Sequence, residues 1–263
     1  MNEKKQSIMI KNVAAAVVSI SSFLAIWQLG VSYTRIGRIV PGPFAVLAAF
    51  FSSFTNPVGV HTMFAHILFS LSRVLVAYSA ACVIGITLGL LMARVRLVEA
   101  IFRPFYEIIR PIPPLAWISM SILWFGLSGD MTKYFIIFIG VFPIITYTTF
   151  SGCRRVDPTL IMAAKMLGAN DAQAFITIII PASVPYIFSG MQLALSGGWA
   201  CVVAAEMIRS SEGVGWIIVS GSEMNNMLQI LYGIVAIGVV GYLLVTILRK
   251  IEAVLCSWNV GGV

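Results

Sequence analysis

The chain has 263 residues, of which 59% are hydrophobic and only 10% charged. Mean hydropathy is +0.97, and a soluble domain carries about a quarter charged residues. That composition excludes a soluble enzyme, a disordered protein and a nucleic-acid binder, even though 17 Lys and Arg against 10 Asp and Glu leave a net charge of +7.

A helix needs about 20 apolar residues to cross the ~30 Å hydrocarbon layer of a bilayer. Six stretches nearly free of Asp, Glu, Lys and Arg meet or approach that length: 12–34, 74–93, 112–129, 134–152, 185–205 and 228–248. An all-α polytopic membrane protein follows, with residues 1–263 expected to form one transmembrane domain. The basic start at Lys4, Lys5 and Lys11 resembles a signal peptide. The apolar run behind it is full span length and lacks an A-x-A cleavage site, so it reads as an uncleaved anchor. Six spans place both termini on one side. Twelve of the basic residues fall on that side, among them Arg94, Arg96, Arg103, Arg110, Arg154, Arg155 and Lys165. Five fall on the other, including Arg73 and Lys133. Short basic loops stay inside, so both termini are expected in the cytoplasm.

Between the first two spans, Pro41-Gly42-Pro43 precedes an apolar run, 44–54, too short to span and suited to the outer interface. The second span carries Ala77, Ala81, Gly85 and Gly89, each four apart, and the fifth carries Gly190, Ala194 and Gly198. Small residues at that spacing permit close helix approach. The third span opens on Pro111-Ile-Pro113-Pro114. Proline disfavours helix before it, so helix begins near Pro113 and is too short to cross alone. Pro143 should kink the fourth span.

The longest inner loop is built as an elbow over 157–181. Asp157 followed by Pro158 is a helix start, an acidic cap with proline at the first helical position. A helix over 158–167 ends at Gly168, suited to a left-handed stop. Asn170 with Gln173 three residues on forms a capping box. The second helix runs to about Ile180, where Pro181 follows. Leu160, Ile161, Ala164, Met166 and Leu167 make the outward face apolar, as at a protein interface.

Glu206, at the outer end of the fifth span, is costly at membrane depth and therefore a candidate gate or pathway residue. Its competing role is a structural partner to a basic group such as Arg209 or Arg73. Trp117 and Trp199, with Trp124, are candidates for lining the path, against the commoner role of interface anchors. His61 and His66 are five apart, which is no helical ligand pair, and Cys82, Cys153, Cys201 and Cys256 show no metal or redox spacing. No cofactor or metal is expected. No phosphate loop of the G-x-x-x-x-G-K-[ST] type occurs, so the chain is read as a non-enzyme.

The stretch Met162-Ala-Ala-Lys-Met-Leu-Gly168-Ala-Asn-Asp-Ala-Gln-Ala-Phe175, continuing to Pro181 and Pro185, resembles the "EAA" loop of permease subunits of bacterial ATP-driven (ABC) importers. Met162 stands where that family has its glutamate. Ser70-Leu-Ser-Arg-Val-Leu75, Arg110-Pro-Ile-Pro-Pro-Leu-Ala-Trp117, Ile122-Leu-Trp-Phe-Gly126 and Val203-Ala-Ala-Glu-Met207 are similar to the branch handling nitrate, sulfonate, taurine and related solutes. The resemblance implies an inner-membrane permease whose elbow docks on separate ATPase subunits through Asp157, Pro158, Ala163, Ala164, Gly168, Ala169 and Phe175. It also implies a second permease subunit, identical by expectation, a solute-binding protein outside and surrounding lipid. The alternative is a secondary transporter without an ATPase, which should show paired repeats and intramembrane charges.

Overall fold

A computed structural model describes residues 2–126 and 129–256. Among these, eleven α-helices account for nearly all the secondary structure and no strand forms; Val58 and His61 make one isolated bridge. Five helices are long and apolar enough to cross a membrane, and a bent pair supplies a sixth candidate. The end of the expected span 112–129, at 127 and 128, lies outside the described residues.

The chain divides into two compact units, one reaching from the N-terminus through Met63 with Ile217–Ala236, the other comprising Phe64–Trp216 and the segment from Ile237 onward. The first unit opens with α1, Asn2–Tyr33, whose apolar stretch Ala14–Tyr33 has no buried residue. After a 3-10 turn at Arg35–Arg38, α2 spans Pro43–Ser52, with Gly42 as its extended cap and Pro43 at the first turn. Val46 and Phe50 are buried while Phe44 and Phe51 are exposed, as suits a short interfacial helix. At the turn between Ile217–Ala236's two helical segments, Asn225 adopts φ 51°, a left-handed conformation that Asn tolerates better than most side chains.

The second unit is built around α6, Met131–Arg154, with α3, Met63–Arg94, on one side and α9, Ile180–Arg209, on another. Lipid tails are as apolar as leucine, so helix association in a membrane depends on close packing rather than water exclusion. The small residues supply it. A Cβ on Gly85 would lie 3.2 Å from Ile145 Cγ2, and one on Gly89 2.7 Å from Thr149 Cβ, both on α6. Gly190 backs onto Thr148, and a Cβ on Gly198 would lie 2.8 Å from Val141 Cγ2. Ala77, Ala81 and Ala194 are buried among Ile137, Val141 and Ile145.

Two expectations need correction. The helix expected from near Pro113 over 112–129 begins only at Ile118, after a 3-10 turn, and the residues before it are themselves helical. They fold as α4, Arg96–Ile109, amphipathic and without a buried residue. It is followed at a 90° bend by a 3-10 turn, Pro114–Trp117, and α5, Ile118–Phe125. Turn and helix together reach roughly 18–20 Å, too short to cross. The amphipathic pattern of α4 allows it to lie along an interface, and Pro111 and Pro113 break the chain before the next helix. The second correction concerns Pro181. The elbow's second helix does not stop there. α8, Asp171–Ala174, passes through a π-turn at Phe175–Ile179 directly into α9. Pro181 and Pro185 have no N–H to give; the wider π-turn precedes Pro181, which falls in the first turn of α9, and the helix continues through both.

Candidate docking elbow and buried ion cluster

The elbow occupies the N-terminal end of α9. Its first helix, α7, is Pro158–Met166, one residue shorter than expected. Thr159 N–H donates to Asp157 Oδ1 at 2.8 Å, which satisfies one of the donors a helix start leaves free. That bond holds the Asp157 carboxyl below the usual range. At the other end Ala169 N–H donates to the Ala164 carbonyl at 3.0 Å and Gly168 N–H to that of Lys165 at 3.0 Å, the pairing of a helix stopped by a left-handed glycine. Gly168 has φ +92°. Gln173 N–H donates to Asn170 Oδ1 at 2.8 Å, and Asn170 N–H to Gln173 Oε1 at 2.9 Å, completing the capping box. Lys165 and Asp171 pair across the turn at 2.7 Å, and that bond lowers the Asp171 pKa.

Caps, glycine stop and ion pair make the turn rigid by purely local bonds, and it presents apolar surface. Leu160, Met162, Met166 and Leu167 are 52%, 58%, 88% and 89% exposed. Ile161 and Ala164 are half-buried, so Met162 takes a larger part of that face than Ile161. Asp157, Pro158, Ala163 and Gly168 are exposed and Ala169 half-buried. Phe175 points inward: it is buried, with the Arg94 guanidinium 5.2 Å from its ring centre. It anchors the elbow to the end of α3.

The second cluster lies near the far end of α9, roughly 39 Å away at 1.5 Å per residue. Glu206 is 1% exposed and Arg73 2%. Arg73 donates to three carboxylates: Nη1 to Glu206 at 2.9 Å, Nε to Asp130 at 2.8 Å and Nη2 to Glu212 at 2.6 Å. Glu206 also accepts from Ser70 Oγ at 2.8 Å and from Gly215 N–H at 3.0 Å. Val214 N–H donates to Ser70 Oγ and Gly213 N–H to His66 Nδ1, at 2.9 and 3.0 Å, and His66 stacks on Trp216. Gly213 has φ +108°, and a Cβ there would overlap the Glu206 carboxylate. The loop 210–216 is therefore stitched to α3 by the i, i+4, i+7 residues His66, Ser70 and Arg73, which share one helix face. Sequence reasoning named Arg73 and Arg209 as possible partners of Glu206. Arg73 fills that place, and the Arg209 side chain lies outside the described residues. Asp130, Glu212, Ser70 and His66 escaped it. The face shared by the three α3 residues, with Ser70 and Arg73 in one motif and Glu206 in another, was a signal for His66 and Ser70 but not for Asp130 or Glu212.

The other two site residues stand apart from the cluster. Trp199 is 5% exposed and donates its Nε1–H to the Ile237 carbonyl at 3.0 Å. Trp117 is half-buried, edge-on to Phe135.

Residues 85–255 match the family described as binding-protein-dependent transport system inner membrane component. A putative ABC transporter permease protein of Methanocaldococcus jannaschii is 36% identical over 98% of both chains. The taurine transport system permease protein of Escherichia coli is 30% identical over 98% of this chain and 97% of its own. Among solved structures, a chain from the MetNI methionine ABC transporter in an inward-facing conformation superposes with TM-score 0.59 at 19% identity, over 71% of this chain and 92% of that one. That last likeness is one of fold.

Proposed function

Because this chain belongs to the binding-protein-dependent transport system inner membrane component family and is the permease subunit of an ABC transporter, we propose how it works as a multi-pass inner-membrane protein. The whole chain acts as one transmembrane domain. Two copies pair around a central path, two ATPase subunits sit beneath, and a solute-binding protein delivers the solute from outside. Both termini and the elbow face the cytoplasm, on the argument from basic residues. The solute is a small nitrate-, sulfonate- or taurine-type compound or a related organic nutrient, a class in keeping with the Escherichia coli relative's taurine system. ATP binding draws the ATPases together, the elbows follow, and the spans switch between outward and inward openings.

The observation that carries this reading is the rigid elbow with four large apolar side chains exposed at its tip. A surface of that kind on a capped, non-catalytic turn is suited to a protein partner. Asp157, Pro158, Ala163, Ala164, Gly168 and Ala169 form the docking surface, with Phe175 holding it from behind. Trp117 and Trp199 border the path. Glu206 acts as a structural clamp, its buried carboxylate bonded to Arg73, Ser70 Oγ and Gly215 N–H.

The test is reconstitution of the permease with its ATPase in proteoliposomes. Loaded receptor should stimulate ATP hydrolysis several-fold, and taurine or nitrate should accumulate only with ATP present. Uptake driven by an ion gradient without the ATPase would overturn the proposal.

A further inference from the structure

Two concavities outside the elbow and the ion cluster share a wall. A cavity of about 400 Å³ is lined by Arg103, Arg110, Arg154 and Arg155, with Glu99 and Glu107. Beside it runs a groove of about 460 Å³ with a mostly apolar lining, including Phe102, Phe105, Phe138 and Phe142. Met92, Tyr106 and Thr146 border both. The charges do not cancel. Arg103 pairs with Glu107 at 2.9 Å and Glu99 at 3.4 Å, and Arg154 pairs with Glu99. Arg110 and Arg155 rest on the rings of Tyr147 and Tyr186, 4.9 and 5.7 Å from the ring centres. Neither has a carboxylate partner among the described residues. Four guanidiniums against two carboxylates leave an excess of two positive charges at the mouth of an apolar slot.

We propose that this composite site binds an anionic phospholipid of the cytoplasmic leaflet. The phosphate sits among Arg103, Arg110, Arg154 and Arg155, and one acyl chain lies along the phenylalanine groove under α4. Basic pockets between membrane helices on the cytoplasmic side suit anionic headgroups, and an amphipathic helix at an interface suits an acyl boundary. A small free anion would leave the groove empty. A zwitterionic lipid would bring its own ammonium cation against the excess positive charge. The assignment to the cytoplasmic leaflet rests on the orientation proposed above.

Native mass spectrometry of the purified transporter complex tests it, after incubation with dioleoyl phosphatidylglycerol, dioleoyl phosphatidylcholine or inorganic phosphate. Each basic group near an anionic headgroup is worth roughly fivefold in binding. The wild type should retain phosphatidylglycerol over phosphatidylcholine. Arg110→Gln with Arg155→Gln should weaken that retention about 25-fold. Phe105→Asn, at an exposed groove position, should weaken it with the charges intact. Equal retention of the two lipids, retention unchanged in the double variant, or equally tight inorganic phosphate would overturn the proposal. So would a disulfide between two copies through Phe105→Cys, which would mark the groove as covered by the second subunit. Lipid retention reads the site whichever way the protein faces, and thiol labelling at residue 222 reads the orientation separately.

Discussion

Replacing Arg73 by methionine removes a cation that is bonded to three carboxylates. Their fates differ. Asp130 keeps Lys133 at 2.9 Å and its side chain is 41% exposed, and Glu212 is 27% exposed, so both retain a partner or water. Glu206 is fully buried and, among the described residues, keeps the neutral donors Ser70 Oγ and Gly215 N–H. Breaking a buried pair in this way costs about 3–5 kcal/mol, most of it for the charge left behind. Glu206→Gln should cost less, because Arg73 keeps Asp130 and Glu212 while the Gln amide still fills the site. At 2–4 °C per kcal/mol for a chain of this size, Arg73→Met should lower the unfolding temperature by roughly 6–20 °C. The double variant Arg73→Met with Glu206→Gln should recover part of that loss, since no buried charge remains. Intrinsic tryptophan fluorescence in nanodiscs is a direct readout, because Trp216 stacks on His66 within the cluster. A shift under about 2 °C for Arg73→Met, or losses that simply add in the double variant, would refute the clamp.

At the elbow, Gly168→Val should leave the spans inserted but lose the ATPase on co-purification, with Gly168→Ala intermediate. A Cβ there meets nothing within 4 Å inside the chain, so the obstruction arises only on docking, beyond the strain of φ +92°. Because the folded-state pKa of Asp157 is depressed, its cap contributes stability fully above the unfolded carboxylate value of about 3.9 and loses it as pH falls through the lower folded value. Amide exchange across 157–167, corrected for the intrinsic rate, should therefore rise at acid pH, and Asp157→Asn, which still caps, should flatten that response. In a cysteine-free version, Ser222→Cys should react with an impermeant thiol reagent in intact cells while Ser7→Cys does not; the reverse pattern would invert the topology.

Local chemistry made the elbow readable in the amino-acid sequence. Asp157, Pro158, Gly168, Asn170 and Gln173 act on backbone groups within five residues of themselves, so their spacing along the chain is also their spacing in space. The long spans were readable for a similar reason, since a bilayer tests composition window by window. The Arg73 cluster was not. Its carboxylates stand 57, 133 and 139 positions away, and only the packing of α3 against the start of α6, the end of α9 and the loop after it brings them together. Phe175 sits in the elbow motif like its neighbours, yet it is turned inward because the end of α3 supplies Arg94 to cover it. Proline at 181 signals a stop when read alone. The tertiary structure carries the helix through it, because the π-turn before it and the packing of α9 on α6 outweigh one missing hydrogen bond. Leu97, Ile101, Phe105 and Ile108 recur at helical spacing in the sequence, but what that face covers is not written there. The apolar face of α4 becomes a structural fact only when α3 and α6 provide the groove that it closes.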